Sequence, residues 1–317
     1  MKAVFLDFST MGEGLDLGPL RDVVTELVIH ATSDDDEVAG RIADADAVLT
    51  NKIRLTPALI EGAPRLRFIG LTATGTDNID LGAAHKHDNA VANIRDYCTE
   101  SVVEHVFGVL LMLTHSLPIF RTSVHEGLWQ TASDPFLLNH PIRELSAMTL
   151  GIVGYGALGQ GVANMGRAFG MRVLVSARPR SDVVPKDRMS FDELLESADV
   201  ISLHCPLNDD THGLFGADQF RRMRQSSILI NTARGGLVDS AALATALKSG
   251  DIAAAAVDVL PYEPPVNGDP LLDYAGDNLI VTPHIAWATN EARQNAIDEL
   301  ARNIEAFRAG EDRNRVV

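Results

Sequence analysis

The stretch Thr149-Leu150-Gly151-Ile152-Val153-Gly154-Tyr155-Gly156-Ala157-Leu158-Gly159 decides the reading of this chain. Its apolar run has the length and composition of a buried strand, and a helical pattern from Gln160 to Phe169 follows directly. Gly154 allows a tight turn, Gly156 lets backbone approach a pyrophosphate, and Gly159 lets the helix pack close to the strand. The phosphates would lie at the positive N-terminus of that helix. Strand, glycine turn and helix in this order predict a dinucleotide site.

In such a fold an acid roughly 20 residues beyond the glycines holds the ribose hydroxyls of NAD. Here the second strand, Arg172 to Val175, runs into Ser176-Ala177-Arg178-Pro179-Arg180, and no acid is present. Ala177 removes the charge that would repel a 2′-phosphate, while Ser176, Arg178 and Arg180 offer donors to it. The pattern predicts NADPH as the preferred cofactor, with NADH as the second choice.

The chain has 317 residues, beyond the size at which one core usually keeps growing, so two domains are expected. From Met1 to Asn93 short apolar segments alternate with helical ones, the grain of a parallel sheet covered on both faces. Lys2 to Leu6, Leu27 to His30, Ala47 to Leu49, Arg67 to Leu71 and Ala90 to Ala92 read as strands. The alternation resumes after Thr149, with further strands at Val200 to Leu203, Ser227 to Asn231, Ala253 to Val257 and Leu279 to Thr282. Both halves therefore read as doubly wound α/β domains. Thr99 to Thr114 is a long helix leading into the second, and Glu291 to Phe307 is a terminal helix. Thr56-Pro57, Asp77 or Asn78, Ser190 with Glu193, and Asp239 read as helix caps. Acids in Ser33-Asp34-Asp35-Asp36-Glu37 suit a helix start better than a metal. Pro118 to Pro141 reads as irregular, with Trp129, Phe136 and Leu137 as an apolar arm of the kind buried by a second subunit.

A net charge of −16 argues against nucleic acid or anionic membrane as a partner. Two cysteines, Cys98 and Cys205, without disulfide or metal spacing, point to the cytoplasm, and no metal is expected. The N-terminus acquires Asp7 before an apolar signal core can form, and no run is long enough to span a bilayer. In so acidic a chain, an anionic substrate must be held by a few placed cations.

Three loops near strand ends each supply one reactive side chain: Arg234 in Asn231-Thr232-Ala233-Arg234-Gly235-Gly236, Glu263 in Asp258 to Pro264, and His284 in Val281 to Trp287. Taken singly, each has a plain structural explanation as a salt bridge, a solvated acid or a core histidine. Together they match the reduction of a 2-keto acid. That reaction needs a guanidinium to grip the carboxylate and an imidazolium to protonate the carbonyl oxygen as hydride reaches carbon. A carboxylate beside the histidine favours its protonated form. Two loops of the first half, Thr50-Asn51-Lys52 and Thr72 to Asn78, also follow strand ends, where ligands of open α/β sheets bind. The second could cradle a carboxylate with its N–H groups.

With these segments in order, the chain resembles the D-isomer-specific 2-hydroxyacid dehydrogenase family over nearly its whole length. The glycine stretch, Leu203-His204-Cys205-Pro206-Leu207, Asn231 to Gly235, Asp258 to Pro264 and Thr282-Pro283-His284 carry the likeness. The resemblance implies that Arg234, Glu263 and His284 are catalytic, and that Thr74 and Gly75 present amides to the substrate carboxylate. It implies cofactor contacts at Ala157, Leu158, Cys205, Pro206, Thr211, Thr232, Ala233 and Asp258, beside Gly154, Gly156 and Gly159. It further implies a homodimer in which a flavodoxin-like substrate domain, residues 1–98 and 285–317, carries an inserted Rossmann cofactor domain, residues 99–284.

Within the family, Asn51-Lys52, Asp96 to Ser101 and Pro283 to Trp287 look most like glycerate dehydrogenases, that is, hydroxypyruvate reductases. Lys52 would then add a cation near a small hydroxylated acid and Trp287 would wall its pocket. Ala177 is the main departure, because many relatives carry an acid there and use NAD. A cofactor-sensing corepressor-like interaction protein shares this architecture and is one alternative, although retention of all three reactive residues favours an enzyme. A short phosphoglycerate dehydrogenase is the other.

Overall fold

The computed structural model describes residues 1–180 and 183–317. Its leading segment runs β1 (Lys2–Phe5), α1 (Gly18–Val23), β2 (Glu26–Ile29), α2 (Asp35–Ile42), β3 (Ala47–Thr50), α3 (Pro57–Glu61), β4 (Phe68–Leu71), α4 (Leu81–Lys86) and β5 (Ala90–Ala92). The middle runs α5 (Thr99–Thr114), α6 (Leu117–His125), β6 (Thr149–Val153), α7 (Ala157–Ala168), β7 (Arg172–Val175), α8 (Phe191–Ser197), β8 (Val200–Leu203), α9 (Ala217–Arg222), β9 (Ile228–Asn231), α10 (Ser240–Ser249), β10 (Ala254–Val257) and β11 (Leu279–Val281). Helix α11 (Asn290–Ala309) closes the chain. Two units result, Met1–Cys98 with Ala288–Val317, and Thr99–Trp287.

In the first unit the strands pair in parallel in the order β2-β1-β3-β4-β5. That is the flavodoxin order, whose direction reverses between β1 and β3. Every residue of β3 and β4 is buried, as expected where helices cover both faces. Val4, Leu6, Val48, Ile69 and Val91 form the core on one side with Val38 and Ile42 of α2.

In the second unit the order is β11-β10-β9-β8-β6-β7, again all parallel. Beyond β7, Ser176 makes an isolated parallel bridge with Met189. Counting Met189 as a strand shrunk to one residue gives the dinucleotide-binding order 3-2-1-4-5-6 with β11 as a seventh strand, and the order reverses between β6 and β8. Leu203, Phe215, Phe220, Leu229 and Leu243 pack the core beside the sheet. No single helix among the described residues is long and apolar enough to cross a membrane; α5 and α6 pass that test only jointly and bend by 57°.

Gly154 sits at the reversal with φ +93°, and a Cβ there would lie 2.4 Å from the backbone N of Cys205. Gly159, on the first turn of α7, would place a Cβ 2.1 Å from the Gly154 carbonyl oxygen. The turn and the loop after β8 thus meet backbone to backbone, which only glycine permits.

Several details differ from the sequence reading. Residues Leu117–His125 form helix α6 rather than irregular chain, because Pro118 lies in its first turn, where proline costs no hydrogen bond. The cap of α4 is Asp80, which accepts from the Ala83 N–H at 2.7 Å, not Asp77 or Asn78. Asn78 instead spends its amide on the carbonyls of Asn51 and Ile53. By its contacts the second unit runs through Trp287, and the N–H groups of Ile285 and Ala286 are bonded to Asp258.

A Gly159→Ala substitution is expected to destabilise the protein by about 1–3 kcal/mol, the usual cost of forcing atoms into a packed site. A lowered urea midpoint with unchanged slope would report it.

Candidate active site

The carboxyl ends of the strands in the second unit carry most of the sequence-predicted residues. His284 follows β11, and its Nδ1 lies 2.5 Å from Glu263 Oε2. The other Glu263 oxygen accepts from the Leu260 N–H at 2.8 Å, so the carboxylate is braced from its own loop. Both side chains keep about a third of their surface, 29 % and 31 %. With Nδ1 engaged, Nε2 is the imidazole nitrogen left to exchange a proton with a bound molecule.

The His284 backbone is held as firmly as its ring. It has φ +56°, a region that residues with a side chain seldom occupy. Its N–H donates to the carbonyls of Asp258 and Thr282, and its own carbonyl accepts from the Trp287 indole at 3.1 Å. Asp258, at the end of β10, is 2 % exposed. Its Oδ1 accepts from the Thr282 hydroxyl at 2.5 Å and the Ile285 N–H at 2.9 Å, and its Oδ2 from the Ala286 N–H at 2.9 Å. The carboxylate is therefore committed to the loop that bears His284.

Arg234 leaves β9 through a turn shaped by Asn231, which is fully buried. The Asn231 amide donates to the Arg234 carbonyl at 2.9 Å, and its oxygen accepts from the Ala233 N–H at 3.1 Å. The guanidinium folds back onto the Ala233 carbonyl at 2.7 Å and stays half-buried. A Cβ on Gly235 would lie 2.0 Å from the Leu260 carbonyl carbon. The Arg234 and Glu263 loops consequently abut, and His284 joins them through Glu263.

The glycine turn suits a dinucleotide phosphate. No side chain caps the twelve-residue helix α7, so the N–H groups of Ala157, Leu158 and Gly159 remain as an anion cradle. Two buried polar atoms without a partner among the described residues, His204 Nδ1 and Thr232 Oγ1, lie just past β8 and β9. Buried polar groups are normally satisfied, so both point to a polar ligand on that edge. Burial pushes His204 down to about 4 and the Cys205 thiol up to about 11, leaving each neutral near pH 7. Thr211, also buried, staples its loop by donating to the Pro206 carbonyl at 2.7 Å.

After β7, Ala177 is 5 % exposed and donates its N–H to Met189. Arg178 and Arg180 are exposed, the latter at φ +59°. Ser176 departs from the sequence reading: it is buried, and its hydroxyl donates to the Ala177 carbonyl at 2.7 Å. Sequence reasoning also missed Arg188, whose guanidinium lies 4.6 Å from the Tyr155 ring centre within the glycine turn. Nothing in linear spacing pairs these two residues; the Ser176–Met189 bridge folds Arg188 in.

In the first unit, the loop with Asn51 and Lys52 is built on another residue missed in the sequence. Asp7 is 3 % exposed and its carboxylate accepts from the N–H groups of Asn51, Lys52 and Ile53 at 2.6 to 3.2 Å. The Asn51 side chain is buried and donates to the Thr10 hydroxyl at 3.1 Å, while Lys52 is exposed. Thr74 is held by its hydroxyl on the Ile94 carbonyl and by Asn93, which donates to the Thr74 carbonyl. The N–H groups of Thr74 and Gly75 donate to no acceptor among the described residues.

Residues 107–286 match the family described as D-isomer specific 2-hydroxyacid dehydrogenase, NAD binding domain. A glycerate dehydrogenase of Methylorubrum extorquens is 42 % identical over 280 residues, 88 % of each chain. A hydroxypyruvate reductase of Blautia hydrogenotrophica is 37 % identical over 98 % of each chain. An acyclic imino acid reductase solved in complex with NADPH and D-Arg superposes with a TM-score of 0.86 over the whole of both chains at 28 % identity. The two parallel sheets agree with these likenesses, and the chain belongs to the D-isomer specific 2-hydroxyacid dehydrogenase family.

Proposed function

We propose that this chain reduces a small 2-keto acid, hydroxypyruvate or glyoxylate, to the D-2-hydroxy acid with NADPH, NADH being the second choice. The observation that carries the reading is the 2.5 Å pairing of His284 Nδ1 with Glu263. A histidine so anchored presents Nε2 as a proton donor to a carbonyl oxygen, and Glu263 fixes the ring orientation. Arg234 is the cation that binds the substrate carboxylate, exchanging its bond to the Ala233 carbonyl for a charge-assisted one. Thr74 and Gly75 are proposed to add backbone N–H groups to the same carboxylate, and Asn51, Lys52 and Trp287 to bound the substrate. The names of the glycerate dehydrogenase and hydroxypyruvate reductase relatives support this substrate class.

A nicotinamide dinucleotide bound along the second unit would supply the hydride. Gly154, Gly156, Ala157, Leu158 and Gly159 are proposed to hold its phosphates. Cys205, Pro206, Thr211, Thr232, Ala233 and Asp258 are proposed contacts, Asp258 through its backbone because its carboxylate is already committed. Arg178 and Arg180, with the neutral Ala177, favour a 2′-phosphate.

A homodimer is proposed through the segment from α6 to Ile142. Phe136 and Leu138 there are 72 % and 80 % exposed, and Trp129 is 53 % exposed. Its two ends are tied together by bonds from Arg143 to Thr114 and from Ser116 to Pro141. Such an apolar excursion fits a subunit partner. Cys98 and Cys205 form no disulfide, in keeping with a proposed cytoplasmic setting.

Purified protein assayed with hydroxypyruvate, glyoxylate and larger keto acids should show its highest kcat/KM with NADPH and one of the two small acids. A higher value with NADH would defeat the cofactor reading, and no turnover with any keto acid would defeat the enzyme reading in favour of an interaction protein. His284→Ala should lower kcat by about 100-fold or more while leaving NADPH affinity within about twofold. In a Cys98→Ser variant, iodoacetamide should label Cys205 slowly at pH 8 and faster as pH rises towards 11, since burial keeps the thiol protonated until then. NADPH should slow that labelling. Light scattering should give twice the monomer mass, and Phe136→Asp with Leu138→Asp should shift it to the monomer.

A further inference from the structure

Helix α5 is largely apolar, yet it carries Ser101 and His105 one turn apart, positions that share one face of a helix. Both reach the loop that bears His284. The Ser101 hydroxyl, buried, donates to the Ala286 carbonyl at 2.7 Å. His105 Nε2 lies 3.2 Å from the Thr282 hydroxyl oxygen. One face of α5 therefore touches the loop two residues before His284 and again two residues after it.

The direction of the second contact follows from proton counting. Thr282 has a single hydroxyl proton and donates it to Asp258 Oδ1 at 2.5 Å. Its oxygen must then accept from His105, so the His105 proton sits on Nε2 and the chain runs His105 to Thr282 to Asp258. Asp258 in turn receives the N–H groups of Ile285 and Ala286. His284 stands at the centre of this arrangement with φ +56°, a conformation that persists only when its surroundings over-determine it.

We propose that Ser101 and His105 form a clamp that positions His284 for proton transfer. Neither touches the reacting atoms; both are positioning residues. Ser101 fixes the far side of the loop directly, and His105 fixes the near side by orienting Thr282 and, through it, the Asp258 carboxylate. Glu263 sets the rotation of the imidazole, while the clamp sets where the backbone beneath it lies. The inference rests on the reading of His284 as the proton donor.

Three variants test it: Ser101→Ala, His105→Leu, and His105→Gln, which keeps an N–H donor at similar reach. Hydrogen exchange at the Ile285 and Ala286 amides decides the clamp without any turnover. Those amides should exchange about 10-fold faster in Ser101→Ala and His105→Leu, and at the wild-type rate in His105→Gln. Unchanged exchange in both Ser101→Ala and His105→Leu overturns the clamp. In turnover, the two disrupting variants should lower kcat about 10-fold with KM for keto acid and NADPH within about twofold, the mark of misplacement rather than lost binding. In a His284→Ala background they should lower the residual rate no further; a full additional 10-fold loss there overturns the link to His284. Normal turnover by His284→Ala with faster exchange in the two variants would leave the loop anchor standing and defeat the proton-donor reading instead.

Discussion

Asp258 is the constraint on which the candidate site depends. Placing a carboxylate at 2 % exposure costs several kcal/mol unless its lone pairs are filled. Here they are filled by one hydroxyl and two backbone N–H groups, all from the five residues Thr282 to Ala286. The Asp258 backbone adds a bond at each side, donating to Asn231 and accepting from His284. A chain that left this loop loose would bury an unsatisfied charge, so the loop has little freedom. The positive φ of His284 is what that rigidity imposes, and it is how a residue with an unfavourable backbone comes to face Glu263 at hydrogen-bond distance.

The first unit uses the same device. Asp7, just beyond β1, is buried and gathers three successive N–H groups from the loop after β3. β1 and β3 flank the point where the strand order reverses, the place where a crevice opens in a doubly wound sheet. In both units, therefore, a carboxylate past one strand end fixes the loop past its neighbour. Both acids act chiefly on backbone, so the loop that bears Lys52 and the loop that bears His284 are each held through their main chain.

The fold was legible because its signals are local. Apolar runs of three to five residues placed every strand to within a residue or two at either end, and the glycine turn marked the start of the second sheet. Ser190 with Glu193, and Thr56 with Pro57, marked helix starts that the structure contains. Leu117–His125 was missed because Pro118 reads as a breaker unless its place in the first turn is known. The candidate trio was legible as residue types near strand ends. Its distant supports were not: Ser101 and His105 are ordinary residues until the fold brings them against a loop far along the chain, and the same holds for Asp7 beneath the Asn51 loop of the first unit. The role of Asp258 was visible only as a family likeness, and its carboxylate turns out to serve the His284 loop.

Cofactor choice shows the same division between near and far. The proposed preference for NADPH draws on the neutral Ala177, which is read from one position. The positive charge that accompanies it is assembled from two sources, Arg178 and Arg180 in sequence and Arg188 through the Ser176–Met189 bridge. Arg188 is partly balanced by Asp187 at 3.4 Å, which lowers its weight against the two exposed arginines. On a chain of net charge −16, the mean field opposes any phosphate, so a dinucleotide phosphate is favoured only where such cations lie within a Debye length, about 8 Å at physiological salt. The edge beyond β7 offers side-chain charge and the uncapped start of α7 offers backbone N–H groups.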